Sequence, residues 1–97
     1  MLSIESGGEG VVVLAGRLDA VQSPAAQSFL DKVQGAVTLD CSKLEYISSA
    51  GLAVLLKTHK RLLAAKGKLR LAGVNPHVRD VFRYSGFDKI FEIEAAR

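Results

Sequence analysis

The chain is poor in the residues from which many functional sites are built. Its 97 residues include one cysteine, two histidines and no tryptophan. The single Cys41 cannot form an internal disulfide or a cysteine-rich metal site. No apolar run approaches the roughly 20 residues that span a bilayer, and the start, MLSIESGGEG, lacks the features of a secretory signal. These absences indicate a cytoplasmic protein without direct membrane insertion and without a metal.

Charge and composition give a second set of limits. The formal net charge is +3, with 48% hydrophobic and 24% charged residues, which is typical of one compact domain over residues 1–97. Four phenylalanines and two tyrosines give little aromatic interleaving among the basic residues. Nucleic-acid binding by stacking is therefore disfavoured, and the basic residues are interpreted as a solvated surface.

Hydrophobic periodicity predicts five strands and three helices. The predicted strands cover residues 2–5, 11–15, 36–40, 68–72 and 90–93. The segments 16–19 and 41–47 are predicted loops. The order β-β-α-β-α-β-α-β predicts an α/β fold: a mainly parallel sheet with right-handed crossovers, whose first strand is an antiparallel edge.

Cap residues followed by proline mark two of the helix starts. Ser23 is predicted as the N-cap of the first helix, with Pro24 at its first position and an end near Gln34. Asn75 precedes Pro76 in the same way, and that helix is predicted to end near Ser85 and Gly86. The inward residues of the first helix are predicted to be Ala26, Phe29, Leu30 and Val33.

The strongest helical pattern covers residues 49–66. A helical wheel places five leucines on one face, which is predicted to face the core: Leu52, Leu55, Leu56, Leu62 and Leu63. His59 falls within this stripe and is predicted to be buried and hydrogen-bonded. The opposite face is predicted to expose Ala50, Ala53, Val54, Lys57 and Arg61. A shallow apolar patch beside the helix start would suit docking of a partner.

Two adjacent serines precede this helix in the stretch YISSAGL. Ser48 or Ser49 is predicted to cap the helix by accepting a backbone N–H from its first turn. A phosphate on a serine at this position would be tolerated by the fold, because unpaired N–H groups and the positive end of the helix dipole lie beside it. Such a modification would change the surface without unfolding the helix.

An enzyme is the less favoured interpretation of the serine pair. The hydrolase pattern G-x-S-x-G is incomplete, since Ile47 stands where its first glycine belongs. His59 is predicted to point into the core, and His77 lies in another helix, so neither is placed as a base. The glycine-rich motifs of phosphate-binding loops are also missing, and no cofactor is implied.

Three motifs in this order resemble the STAS domain, the fold of bacterial anti-sigma factor antagonists. The first is Gly16-Arg17-Leu18-Asp19 ahead of Ser23-Pro24. The second is Leu39-Asp40-Cys41-Ser42, followed by the stretch from Tyr46 to Leu52. The third is Gly73-Val74-Asn75-Pro76, continued by Val78-Arg79-Asp80-Val81-Phe82 and by the run from Ser85 to Phe91. The resemblance covers nearly the whole chain.

The resemblance implies a phosphorylation switch. The family motif D-S-[SA]-G-[LIV] makes Ser49 the phosphoacceptor, with Ser48 the second choice. The implied partners are an anti-sigma factor with serine kinase activity, which binds the unphosphorylated form, and a PP2C-type phosphatase. ATP and Mg²⁺ would belong to the kinase. The implied partner-binding residues are Asp19, Ser48, Ser49, Ala50, Gly51, Ala53, Val54 and Lys57.

The chain departs from the family pattern at one position. Ser48 stands where the family has an aspartate, so a hydroxyl replaces a carboxylate beside the acceptor serine. A second function therefore stays open: a STAS docking subunit of a lipid or anion transport complex that is not phosphorylated.

Overall fold

The computed structural model describes residues 1–95, with side chains through Glu94. The elements follow the predicted order, with one added 3-10 turn at Phe87–Lys89. The strands are β1 (Leu2–Gly8), β2 (Val11–Leu18), β3 (Ala36–Ile47), β4 (Lys68–Val74) and β5 (Glu92–Ala95). The helices are α1 (Ser23–Leu30), α2 (Ser49–Ala64) and α3 (Pro76–Ser85).

The strands form one five-stranded sheet in the order β1-β2-β3-β4-β5. β1 pairs with β2 in antiparallel fashion, and every other neighbouring pair is parallel, as the sequence predicted. All three β-α-β crossovers step in the same direction across the sheet. Right-handed crossovers of this kind place all three helices on one face. Alternate strand residues such as Val12, Leu14 and Leu39 are therefore buried beneath the helices.

Two predicted loops are parts of strands. Gly16 pairs with Leu44 and Leu18 pairs with Ile47, so β2 and β3 run side by side to their ends. The register shifts after Val13 and again after Gly16. These irregularities interrupt the two-residue alternation from which strands are recognised in a sequence. β5 begins two residues later than predicted, because the 3-10 turn precedes it.

The first helix is shorter than predicted, and its cap is different. α1 ends at Leu30, and two i→i−3 bonds follow, from Lys32 to Phe29 and from Val33 to Leu30. The N-cap is Gln22 rather than Ser23. The Ser23 hydroxyl instead donates to the carbonyl oxygen of Asp19 at 2.7 Å.

Asn75 behaves as predicted, since its side chain accepts from the backbone N–H of Val78 at 2.8 Å. α3 ends at Ser85, and Gly86 follows in the left-handed conformation.

Ala26 and Leu30 of α1 are buried, while Phe29 and Val33 pack partly buried against the core.

The buried face of α2 is rotated from the predicted one. Leu52, Leu55 and Leu62 are buried as predicted, but Leu63 is 53% exposed and Val54 is only 6% exposed. The buried arc is therefore turned by about 60° on the helical wheel, away from Leu63. The reason is α1, which packs beside α2 on the side that carries Val54.

Arg61 shows this contact between the two helices directly. Its guanidinium donates to the carbonyl oxygens of Leu30 at 2.8 Å and Val33 at 2.7 Å. The prediction that Arg61 is an exposed cation is therefore wrong. It closes the C-terminal end of α1, where helix carbonyls lack partners within the helix.

Candidate functional site

The serine pair lies where β2, β3 and α2 meet. β2 and β3 end next to each other at Leu18 and Ile47. The backbone N–H of Ser48 donates to the carbonyl oxygen of Leu18 at 2.9 Å, so the chain leaves β3 and enters α2 at once. The start of α2 is thereby fixed to the end of β2, and the loop before α1 follows directly from that end.

Ser48 is the cap of α2. Its backbone is extended, with φ −92° and ψ 174°, and its hydroxyl accepts from the backbone N–H of Gly51 at 3.1 Å. The same hydroxyl donates to the carbonyl oxygen of Leu18 at 3.3 Å. The prediction that one of the two serines caps the helix is confirmed. Both hydrogen-bonding directions of the Ser48 hydroxyl are used inside the fold.

Ser49 has a different environment, although it is the next residue. It is the first residue of α2 and is exposed to solvent. Across residues 1–95, its side chain makes no hydrogen bond. It lies beside the N-terminal N–H groups of α2, at the positive end of the helix dipole. The Ser49 hydroxyl is therefore open to reaction, and a negative charge there is favoured by the helix.

Two of the predicted partner-binding residues are buried. An added Cβ at Gly51 would lie 2.6 Å from the carbonyl oxygen of Leu18 and 2.9 Å from Cγ1 of Ile47. Gly51 thus permits the close approach of α2 to the strand ends rather than offering a contact surface. Val54 faces the α1 side, so the prediction that it is exposed is wrong.

Of the other predicted residues, three lie on α2 and one lies in the loop before α1. Ala53 and Lys57 are exposed on α2, and Ala50 is half-buried. Asp19 is half-buried in the loop before α1, where its carboxylate accepts from the backbone N–H of Gln22 at 3.0 Å. The exposed residues at the start of α2 therefore have small side chains, Asp19 and Lys57 are the charged residues of the predicted set, and a hydrogen bond holds Asp19 in its loop.

Val21 is an apolar residue of this loop that the sequence reading missed. It lies two residues after Asp19 and is 82% exposed. A single valine in a short polar loop has no periodicity that would mark it, so only its exposure in the folded chain identifies it.

Neither histidine is placed as a base for Ser49. His59 lies ten residues further along α2, a rise of about 15 Å, and is buried against the ring of Phe91, with 5.0 Å between ring centroids. The hydrogen bond predicted for His59 is not found at its Nδ1, which has no partner within the described part of the chain. His77 lies at the surface of α3. Over the same residues, no cluster of three or more histidine, cysteine or acidic side chains could hold a metal ion.

Comparisons with known proteins agree with this architecture. A family model described as "Mlab, STAS domain" matches residues 3–93. A Bordetella bronchiseptica protein that carries the name anti-sigma factor antagonist BtrV is 44% identical over 89 residues, which is 92% of this chain and 75% of that protein.

Solved structures share the fold. A Thermotoga maritima protein titled as an anti-sigma factor antagonist superposes with a TM-score of 0.81 at 22% identity, over 99% of this chain and 87% of its own. The phosphorylated form of SpoIIAA, titled as a Bacillus cell fate determinant, gives 0.69 at 20% identity, over 100% and 93% of the two chains. The chain belongs to the STAS-domain family. No helix within residues 1–95 is long and apolar enough to cross a membrane.

Proposed function

We propose that this chain is an anti-sigma factor antagonist whose binding to an anti-sigma factor is switched off by phosphorylation of Ser49. The observation that carries the proposal is the division of roles between the two serines. Ser48 is used as a cap, whereas Ser49 is exposed and unbonded beside it. The name of the Bordetella relative supports the general role.

The hydrogen bonds of Ser48 make it the poorer acceptor of a phosphate. Phosphorylation would remove the hydrogen bond that the Ser48 hydroxyl donates to the carbonyl oxygen of Leu18. The negative phosphate oxygens would then lie against that carbonyl oxygen and crowd the first turn of α2. Phosphorylation of Ser49 would leave both bonds intact. The switch would therefore alter the surface and keep the helix folded.

The loss of binding on phosphorylation is explained by the negative charge that a phosphate would add to the surface that contacts the partner. A phosphate adds a charge of roughly −1.5 to −2. If that surface is buried against the partner, an unpaired phosphate there costs several kcal/mol of binding free energy, enough to abolish a micromolar complex. Ala53 and Lys57 of α2 and Val21 of the loop before α1 are exposed and would form the remainder of the contact.

The rest of the predicted system belongs to the same proposal. The anti-sigma factor would supply the serine kinase activity with its own ATP and Mg²⁺, and a PP2C-type phosphatase would restore the unphosphorylated form. The chain itself would have no catalytic activity. A cytoplasmic location belongs to the same proposal and agrees with a chain that has a single, buried cysteine.

Pull-downs with three bait proteins test the proposal. Wild-type, Ser49→Asp and Ser49→Ala proteins are used in pull-downs from lysate of the native host, and captured proteins are identified by mass spectrometry. We expect a kinase-type anti-sigma factor to be held by wild type and by Ser49→Ala, and to be lost with Ser49→Asp. Equal capture of that factor by all three baits would contradict the switch.

A second function is favoured by one observation, the serine at position 48 where the family has aspartate. In this alternative, the chain is a docking subunit of a lipid or anion transport complex and Ser49 is never phosphorylated. Capture of a transport ATPase or permease, equally by all three baits, is the result expected from it.

A further inference from the structure

The far end of α2 carries a second surface feature, distinct from the Ser49 surface. A groove of about 440 Å³ runs between the last turns of α2 and the segment that leads into β5. Its lining residues are His59, Leu63, Lys68, Leu69, Ile90, Phe91 and Glu92. Leu63 is 53% exposed and Ile90 is 45% exposed. From Ser49 to Leu63, α2 rises by about 21 Å.

One residue that lines the groove, His59, has a buried ring nitrogen without a partner among the described residues. His59 is only 7% exposed and lines the groove beside Phe91. Its Nδ1 is buried and has no hydrogen-bond partner among the described residues. Buried polar groups are normally paired, and an exception calls for an explanation, such as a bound water or ligand. Two exposed aliphatic side chains together with this histidine distinguish the groove from ordinary surface.

The unpaired charge around the groove is mainly positive. In the wall formed by residues 88–94, Glu92 and Glu94 pair with Lys68 and Arg70, and Asp88 has no ion pair within residues 1–95. No aspartate or glutamate occurs from Tyr46 to Arg79, a stretch that includes all of α2 and β4. Lys60 and Lys66 are exposed three residues to either side of Leu63, and Lys89 is exposed next to Ile90. None of these three lysines forms an ion pair within residues 1–95. Lys68, in contrast, is paired with Glu92 at 2.8 Å.

We propose that this groove is a second docking site, which binds an acidic amphipathic segment of a protein partner. Apolar side chains of the segment would lie against Leu63 and Ile90, and its carboxylates would meet Lys60, Lys66 and Lys89 at the rim. An apolar centre with a polar rim is the usual anatomy of a protein interface. Complementary charge at a rim mainly raises the association rate and selects the partner.

Two other occupants fit the groove less well. A second copy of the chain would bring the same lysines face to face, so self-association is opposed by like charge. An anionic membrane suits lysines, but the apolar residues line a concave groove that a bilayer surface does not fill.

The probe for this site is a fluorescent 14-residue helical peptide. It has leucines at one face in i, i+3, i+4 and i+7 positions, three glutamates at the edges of that face and alanines elsewhere, which keeps like charges apart and favours a helix, and a scrambled peptide of the same composition is the control. Binding is measured by anisotropy. The contacted residues are mapped by NMR on isotope-labelled protein.

We expect saturable binding in the micromolar range, with NMR shifts centred on Leu63, Leu69 and Ile90. Leu63→Ser and the double variant Lys60→Glu/Lys66→Glu should each weaken it by about tenfold or more. The matched controls Tyr84→Ser and Lys43→Glu, which alter an exposed aromatic residue and an exposed lysine outside the groove lining, should bind like wild type. All four are surface changes, and circular dichroism confirms that each variant is folded.

Several results would overturn the proposal. The first is no binding of the peptide at concentrations up to about 1 mM, and the second is equal binding of the scrambled peptide. NMR shifts centred on the start of α2 would also contradict the proposal. Co-sedimentation with phosphatidylserine-containing vesicles, together with failure of the peptide, would assign the groove to a membrane instead. Ser49→Asp should bind the peptide like wild type, so this test does not depend on the switch proposed for Ser49.

Discussion

At the scale of single residues, the site depends on how one hydroxyl is used. Ser48 accepts from the N–H of Gly51 and donates to the carbonyl of Leu18, and so it joins the start of α2 to the end of β2. Its neighbour Ser49 has no such role in the fold. Two chemically identical side chains, one residue apart, thus have different environments: one positions the helix, and the other is exposed at the surface.

Alanine substitutions should separate these two roles. We expect Ser48→Ala to lower the free energy of unfolding by about 1–2 kcal/mol, because the helix cap is lost and the Leu18 carbonyl loses a donor. Ser49→Ala should change it by less than about 0.5 kcal/mol, since no bond is lost. Urea unfolding followed by circular dichroism measures both. A Ser49→Ala loss as large as that of Ser48→Ala would contradict the assignment.

At the scale of elements, the position of α2 is set by its contact with α1. Arg61 reaches from α2 to the carbonyl oxygen of Leu30, the last residue of α1, and to that of Val33 in the turn that follows. This contact explains why Val54 is buried and Leu63 is exposed. Leu63, an apolar residue of the groove, is exposed at the opposite edge of α2. The packing of α1 against α2 therefore determines which apolar side chains of α2 are buried and which are exposed.

Removing the Arg61 contact should destabilise the chain. We expect Arg61→Met, which keeps most of the side-chain length, to lower the free energy of unfolding by about 2 kcal/mol, because two charge-assisted hydrogen bonds are lost. Lys60→Met, the exposed neighbour, is the control and should change it by less than about 0.5 kcal/mol. Hydrogen exchange should show the loss of protection first in α1. Equal effects of the two variants would refute the role given to Arg61.

How much of this could be predicted from the sequence differs between elements. The hairpin, α2 and the Asn75 cap were predicted correctly, because alternation, helical periodicity and cap-then-proline patterns are local signals. The strand character of 41–47 was missed, since bulges remove the alternation there. The exposure of Val54 was predicted wrongly because a helical wheel shows one stripe and cannot show a second helix packed beside it.

At the scale of the whole molecule, the helices cover one sheet face and enclose Cys41. Its thiol is buried within the core cluster. Burial is the main cause that raises its pKa to about 12 from the ordinary value of 9.0, and the negative charge of Asp40 adds to it. The pKa of this thiol therefore stays raised only while the core around it is folded.

The raised pKa of Cys41 gives stability a defined pH dependence. In the unfolded chain the thiol ionises near pH 9, whereas in the fold it stays protonated to about pH 12. Its contribution to stability is thus complete below pH 9 and is lost as the pH rises towards 12, by about 1.4 kcal/mol per unit. Comparing urea unfolding of wild type and Cys41→Ala from pH 7 to pH 10.5 isolates this term. If the free energy of unfolding changed with pH in the same way in wild type and Cys41→Ala, the thiol would not be shielded from solvent in the folded chain.

The most direct test of the central claim is to locate the phosphate. Wild-type, Ser49→Ala and Ser48→Ala proteins are incubated with native-host lysate, ATP and Mg²⁺, and each is then analysed by intact mass and phosphopeptide sequencing. The account predicts one phosphoryl group on Ser49 in wild type, its loss in Ser49→Ala and its retention in Ser48→Ala. Phosphate on Ser48, or an unmodified wild-type chain in lysate that phosphorylates a reference STAS protein, would contradict it.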